Sequence, residues 1–236
     1  VRQSAFQNNL LRLMSPATLE RITPHLEFIE LQRGFRLSEP NEEADYAYFP
    51  EIGIASIVAQ SPEGQQAEIG IFGRDGMSSV APIMAAATDP YSTFMQVEGN
   101  GYRIAAPRLK ELLVSDPDLH VLLTRYAHVL SVQTAFTSLS NAVHHIDERL
   151  ARWILMCHDR TDNDEISLTH EFLSIMLAVR RPSVTTALHV LEGRKLIFSE
   201  RGVIIVRNRA ALQVFARDAY GASEKEYERL LCPLRQ

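Results

Sequence analysis

The stretch from Leu168 to Ile197, LTHEFLSIMLAVRRPSVTTALHVLEGRKLI, constrains the fold of this chain more than any other. Its apolar residues Phe172, Leu173, Met176 and Leu177 recur at helical spacing behind Thr169, whose hydroxyl can cap a helix by accepting an orphaned backbone N–H. The pattern lapses at Ala178-Val179, two residues small enough for helices to meet closely. It resumes at Arg181-Pro182-Ser183, where proline is tolerated because a first-turn N–H would be unpaired anyway. Val184, Leu188, Leu191 and Ile197 then point to a core, leaving Arg180, Arg181, Ser183, Thr185, Thr186 and His189 on the other side. Such a pair is more often an ordinary surface element. A compact pair with one apolar and one cationic, hydroxyl-rich face is nevertheless what a major-groove reader needs.

Two features favour the second possibility. Ile197-Phe198-Ser199-Glu200-Arg201-Gly202-Val203-Ile204-Ile205-Val206 reads as two β-type runs around a glycine-containing turn, a small hairpin or wing. Charge also concentrates here. Residues 168–209 hold seven basic side chains (Arg180, Arg181, Arg194, Lys195, Arg201, Arg207, Arg209) against Glu171, Glu192 and Glu200, a net of +4 in a chain whose net charge is −5. Contacts to a nucleic-acid backbone need such a patch, since their affinity is largely counterion release.

This segment resembles the winged helix-turn-helix of the CRP/FNR superfamily of bacterial transcription regulators, notably in Leu168-Thr169-His170-Glu171 and Val179-Arg180-Arg181. The resemblance extends over nearly the whole chain. It implies an α+β fold with a β-roll like the cyclic-nucleotide-binding domain over 1–115, a long dimerisation helix and hinge over 116–146, and a DNA-binding domain over 147–236. The recognition helix would run from about 181 to 192. Arg181 occupies a place where many members have an arginine that reaches guanine; Pro182 stands where glutamate is frequent, and Thr186 where a later arginine stands. Arg180 and Arg181 are therefore expected on guanine or phosphate, with Ser183, Thr185, Thr186 and His189 as shorter contacts. Thr169, His170, Arg194, Lys195 and Arg201 are expected on phosphates.

Along the rest of the chain, residues 4–27 have helical periodicity broken at Ser15-Pro16. From Phe28 short apolar runs alternate with turn signals, among them Pro50-Glu51-Ile52-Gly53 and Gly73-Arg74-Asp75-Gly76, which argues for an antiparallel roll or sandwich. Tyr48-Phe49-Pro50, Gly53-Ile54-Ala55-Ser56-Ile57 and Gly73-Arg74-Asp75-Gly76-Met77 best fit the superfamily's roll. Nucleotide-binding members supply a glutamate for the ribose and an arginine for the cyclic phosphate. The matching region here, Gly76-Met77-Ser78-Ser79-Val80-Ala81-Pro82, has no glutamate, and Tyr91 replaces the arginine. Tight binding of cyclic AMP is not expected, because hydroxyls substitute poorly for a bidentate guanidinium. Any effector pocket would draw on Met77, Ser78, Ser79, Tyr91, Ser92 and Thr93.

Other chemistry finds little purchase. Residues 1–119 contain one histidine, His25, so a cupin-type histidine metal site in the roll is excluded. Cys157 and Cys232 are too few for the iron–sulfur cluster with which some superfamily members sense oxygen. No catalytic residue, metal or cofactor is assigned. With no secretory segment and no apolar run near 18 residues, a cytoplasmic location without membrane attachment is expected. The front is acidic (residues 1–146 net −6) and the back slightly basic (147–236 net +1), so only the back should meet nucleic acid.

From Pro107 the period is helical again, with two seams on the helix ending near 141. One runs Leu119, Leu123, Tyr126, Leu130, Gln133, Thr137, Ser140; the other Leu122, Val129, Val132, Phe136, Leu139, Val143. Two apolar faces are more than one roll can bury, so one seam should pack on the chain's own roll and the other on a partner helix. Leu119, Leu123, Tyr126, Leu130, Gln133 and Thr137 are assigned to the dimer interface. His144-His145-Ile146-Asp147 marks a hinge, with Asp147 as the next helix cap. The tail from Ala210 should be one or two helices, with no chemistry assigned. The partners expected are double-stranded DNA and a second copy of the chain; RNA polymerase and a small-molecule effector are further candidates. A ligand sensor whose C-terminal helices contact other proteins is the alternative.

Overall fold

The computed structural model describes residues 5–78 and 80–234. Two short helices lead, α1 (Asn9–Leu13) and α2 (Pro16–Ile22). The side chain of Asn8 accepts from the N–H groups of Leu10 and Leu11, and that of Ser15 from Thr18, so each helix starts on a capping oxygen. Five strands follow, β1 (Glu27–Leu31), β2 (Arg36–Ser38), β3 (Tyr46–Gln60), β4 (Gln66–Phe72) and β5 (Ser92–Ala105). They pair antiparallel in the order β1-β5-β3-β4, with β2 also on β5. The turn expected at Pro50-Glu51-Ile52-Gly53 does not form. β3 runs straight through it, and the local irregularity is absorbed as register shifts between Pro50 and Ala55. Proline survives there because β4 pairs only residues 55–60 of β3, leaving the other edge of Pro50 without a strand.

Two helices follow the roll, α3 (Ala106–Ser115) and the 27-residue α4 (Pro117–Val143). Asp116 caps α4 through Leu119 N and is tied back to the leading helices by Thr18 and Arg21. The seam assigned to the dimer is instead the one that packs on this chain's own roll. Leu119, Leu123, Tyr126, Leu130 and Gln133 are all buried within one chain. The Tyr126 hydroxyl donates to Met77 O (2.9 Å), and Gln133 Oε1 accepts from Ile71 N (2.7 Å). Thr137 is half-buried, and its hydroxyl accepts from Arg152 Nη2. What selects this face is close approach. Gly70 and Gly76 have no Cβ, and one there would run into Gln133 and into the Tyr126 ring. Gly76→Ala is therefore expected to push α4 off the roll at a cost of about 1–3 kcal/mol, visible as a lower melting temperature; an unchanged melt would show that the ring can move aside.

The C-terminal unit opens with α5 (Ile146–His158). It starts one residue before Asp147, and the side chain that closes its first turn is Glu148, which accepts from His145 N (3.0 Å). Next come β6 (Glu165–Ser167), α6 (His170–Met176), α7 (Arg181–Gly193), β7 (Ile197–Glu200) and β8 (Val203–Val206). The hairpin gains a third strand, in the order β6-β8-β7, and Ile166 at the centre of β6 is buried. The chain ends in α8 (Arg209–Ala216) and α9 (Ala222–Leu230). No described helix is long and apolar enough to cross a membrane.

The C-terminal unit is fastened to the roll of its own chain by buried polar contacts. Arg160, at the end of α5, makes a two-pronged ion pair with Asp75 of the Gly73–Gly76 turn (Nε–Oδ1 2.9 Å, Nη2–Oδ2 2.6 Å), with both side chains almost wholly excluded from solvent. A second connection is a chain of hydrogen bonds that starts and ends on the C-terminal unit. Trp153 Nε1 on α5 donates to Glu68 Oε1 on β4 (2.5 Å); Glu68 Oε2 meets Ser56 Oγ on β3 (2.8 Å); Ser56 Oγ meets Gln96 Oε1 on β5; and Gln96 Nε2 reaches Met176 Sδ on α6 (3.3 Å). Ser56 has one hydroxyl hydrogen, so it cannot donate to both Glu68 and Gln96. The accounting closes when Glu68 is protonated and donates to Ser56, freeing the serine to donate to Gln96. Burial acts in the same direction, pushing the Glu68 carboxyl up to about 8 against the opposing hydrogen bonds of Trp153 and Ser56.

Candidate nucleic-acid interface

The local sequence builds the helix pair as its pattern requires. Thr169 Oγ1 accepts from Phe172 N (3.3 Å) at the start of α6. The turn into α7 passes through Ala178 at φ 49°, a left-handed position that a small side chain occupies at the least cost available to a residue other than glycine, asparagine or aspartate. Arg180 is the cap residue of α7, with Pro182 in its first turn. Val184, Ala187, Leu188 and Leu191 are buried against the unit's core, joined there by Leu173 and Met176 of α6.

What remains outward is the face expected from sequence. Arg180, Arg181, Thr186 and His189 are exposed, and Ser183 and Thr185 are half-buried. Arg181 pairs with Glu171 of α6 at 3.3 Å, both side chains more than 60% exposed. A surface pair of this kind is worth roughly 0–1 kcal/mol and yields readily to a better anion. The hydroxyls of Thr185 and Thr186 donate backwards to Arg181 O and Pro182 O (3.2 and 3.1 Å). In this state they offer lone pairs and methyl groups to a ligand, not free donors. Ser183 and Thr186 also line a cavity of about 450 Å³ shared with His145, Ile146 and Asp147, so one flank of α7 looks onto the start of α5.

The phosphate candidates divide into two groups. Thr169 and His170 sit at the start of α6 beside Thr185, with His170 Nδ1 3.5 Å from its hydroxyl. Arg201 projects from the tip of the β7–β8 turn, where φ is 48° and the side chain is 92% exposed. Lys195 is exposed just past α7. Arg194 is different: it lies over the Phe215 ring of α8 (4.9 Å), at the end of α7 away from Arg181. Arg207, which the sequence counts only in the charge total, leans over Phe198 on the wing (5.5 Å) and adds an exposed cation there.

The candidate effector residues are spent on the fold. Met77, Ser78, Ser92 and Thr93 are buried. Ser78 Oγ accepts from Tyr48 N (3.1 Å), Met77 O accepts from Tyr126, and Ser92 and Thr93 pair with Val58 and Ile57 in the sheet. Tyr91 packs half-buried against the roll's core, and Ser79 lies outside the described residues. The five of these six that are described are thus not gathered into an open pocket. Between α4 and α5, His144 spans Ser140 and Asp218 (3.2 Å each). The residues that sequence reasoning missed are Arg160, Asp75, Glu68 and Trp153, which join the two halves. They are 85 positions apart in each pair, and no local pattern marks them.

Comparison with known proteins decides what this helix pair is. The family model of the Crp-like helix-turn-helix domain matches residues 148–215. That segment belongs to the Crp-like helix-turn-helix family. No curated protein matches the chain in sequence. Solved structures resemble it over most of its length. FixK2 from Bradyrhizobium japonicum has a TM-score of 0.68 at 15% identity, covering 84% of this chain and 98% of that one. A CRP-family transcriptional regulator from Thermus thermophilus scores 0.67 at 18% identity, covering 82% and 99%. The c-di-GMP-responsive global regulator CLP of Xanthomonas campestris scores 0.63 at 15%, covering 81% and 99%. The chain therefore has the fold of these CRP/FNR-type structures, and its residues 148–215 form a Crp-like helix-turn-helix domain.

Proposed function

We propose that the protein is a homodimeric, sequence-specific regulator of transcription that acts by binding DNA in the cytoplasm and not by catalysis. The observation that carries this reading is the outward face of α7, where Arg181, Thr185, Thr186 and His189 stand clear of the chain's own core while Arg201 extends from the wing. A helix of 13 residues with its N-terminal side chains turned outward is the element that enters a major groove, and the wing can hold the adjacent backbone. Two copies would supply two such helices for a palindromic site, joined through the α4 seam that the roll leaves uncovered at Phe136, Leu139 and Val143. RNA polymerase is the partner such a regulator would address. An effector, if one acts, is not a cyclic nucleotide held in the usual way, since Tyr91 replaces the arginine and the neighbouring hydroxyls are already bonded.

Selection from a random DNA library at stated salt tests the reading. Recovery of a palindrome with half-sites about one helical turn apart is expected. On that site Arg181→Ala should lose roughly 1–3 kcal/mol, and little on scrambled DNA. An equal loss on both would make Arg181 a phosphate contact, and recovery of no sequence by the protein alone or with cell extract would reject sequence-specific binding.

A further inference from the structure

The tail has no role in the account above, yet it sits on the part of α4 that a second copy would need. The second apolar stripe of α4 passes through Val129, Val132, Phe136, Leu139 and Val143, each three or four residues from the last. Its far end is bare: Leu139 is 50% and Val143 63% exposed. Its near end is covered by α9. Val129 is buried in a cluster with Tyr227 and Leu234, and next to it His128 Nε2 meets Glu226 Oε1 at 3.2 Å. Packed helices need about 8–10 Å between axes. A helix seated over 128–129 therefore excludes any other helix from the same place on the stripe.

We propose that α9 and the α4 helix of a second copy compete for this one stripe, so that the tail is a displaceable cover on the dimer seam. The inference rests on the dimer reading above. The lengths favour displacement: α9 spans nine residues, about 14 Å, while α4 spans 27, about 40 Å. Apart from Tyr227 and Leu230, α9 is built of small, polar and charged residues, so it covers little apolar surface, whereas a second α4 would cover the stripe from end to end. The tail's other attachment gives its release a consequence. Tyr227 Oη donates to Asp75 O (2.8 Å), and the same Asp75 holds Arg160 of the C-terminal unit. Lifting α9 frees one support of the turn that fastens the DNA-binding half to the roll.

The native cysteines report on this directly. Cys232 is half-buried in the α9 cluster, and Cys157 is fully buried elsewhere. Full-length protein would be labelled with a thiol reagent across a concentration range whose dimer fraction is known from sedimentation, each cysteine being read by mass spectrometry. Competition predicts that labelling of Cys232 accelerates with dimer fraction, by roughly tenfold once the tail is free, while Cys157 stays silent. It also predicts that Tyr227→Phe and Glu226→Lys tighten the dimer and that Leu139→Glu abolishes it. Labelling that is flat or slows on dimerisation overturns the competition, and loss of the dimer in Leu139→Glu would then leave the dimer reading standing alone. If the unaltered protein is monomeric throughout, dimerisation of the α9 variants supports the cover, and their remaining monomeric overturns both readings.

Discussion

Asp75→Ala should unseat the C-terminal unit from the roll and cost about 3–5 kcal/mol, the range for removing one partner of a buried ion pair. Arg160 is only 3% exposed at its side chain, so without Asp75 its charge stays behind in a place water does not reach. Burial alone would lower the pKa of Arg160, but Asp75 and Asp159 outweigh it and hold the guanidinium above its ordinary value. Without Asp75 most of that support is gone, yet a guanidinium is too basic to lose its proton, so Arg160 cannot escape the penalty that way. The bond from Nη1 to Met156 O (2.6 Å) remains but brings no negative charge. Unfolding in urea, followed by the fluorescence of Trp153, the chain's one tryptophan, measures the effect at the interface itself. The expected result is a lower midpoint, with the single transition splitting in two as the halves uncouple. A midpoint within about 0.5 kcal/mol of the unaltered protein would show that the pair only breaks even. Removing both charges, as in Asp75→Asn with Arg160→Met, should recover much of the loss, since the main cost lies in the orphaned charge.

Glu68 should make the same interface sensitive to pH. Its carboxyl lies near 8 in the folded chain and near 4.5 when free, first because burial penalises the charged form, with Trp153, Ser56, Arg152 and Arg160 opposing. Between those two values the folded state keeps a proton that the unfolded state has released. More protons on the native side make the slope of stability against pH negative, so stability falls as pH rises from about 4.5 to about 8. Across the window the change is on the order of 4 kcal/mol. Glu68→Gln preserves an acceptor for Trp153 and a donor for Ser56, and it removes the titration. Stability of the two proteins should therefore be similar near pH 5 and diverge in favour of the glutamine by pH 8.5. Asp89 and Asp159, also raised by burial, titrate in both proteins and cancel in the difference. A difference that does not change with pH would mean that Glu68 keeps one protonation state throughout.

Much of the C-terminal half could be read from the chain alone because its determinants are local. A capping threonine at 169, small residues at 178–179, a first-turn proline at 182 and apolar residues three and four apart specify the helix pair without reference to anything distant. The exposed cations of α7 follow from the same periodicity, since residues off the apolar face have nowhere to go but out. Long-range pairing did not show itself this way. Two seams on α4 look alike in sequence, and which one meets the roll depends on where glycines 70 and 76 let a helix approach, a fact of the sheet's placement. The same holds for the hydroxyls of Ser78 and Ser92: the resemblance admits a pocket there, and only the folded sheet shows that backbone groups have claimed them.

Local periodicity and capping thus determined that this chain would make an antiparallel roll or sandwich, a long helix and a winged helix pair with a basic outer face. Tertiary structure alone decided which side of α4 faces away from the roll, that α9 lies across it, and that Asp75 and Glu68 hold the helix-turn-helix half in place. The reason is physical: a helix or turn is stabilised by groups a few residues apart, whereas burial of a charge depends on which distant surfaces arrive to exclude water from it.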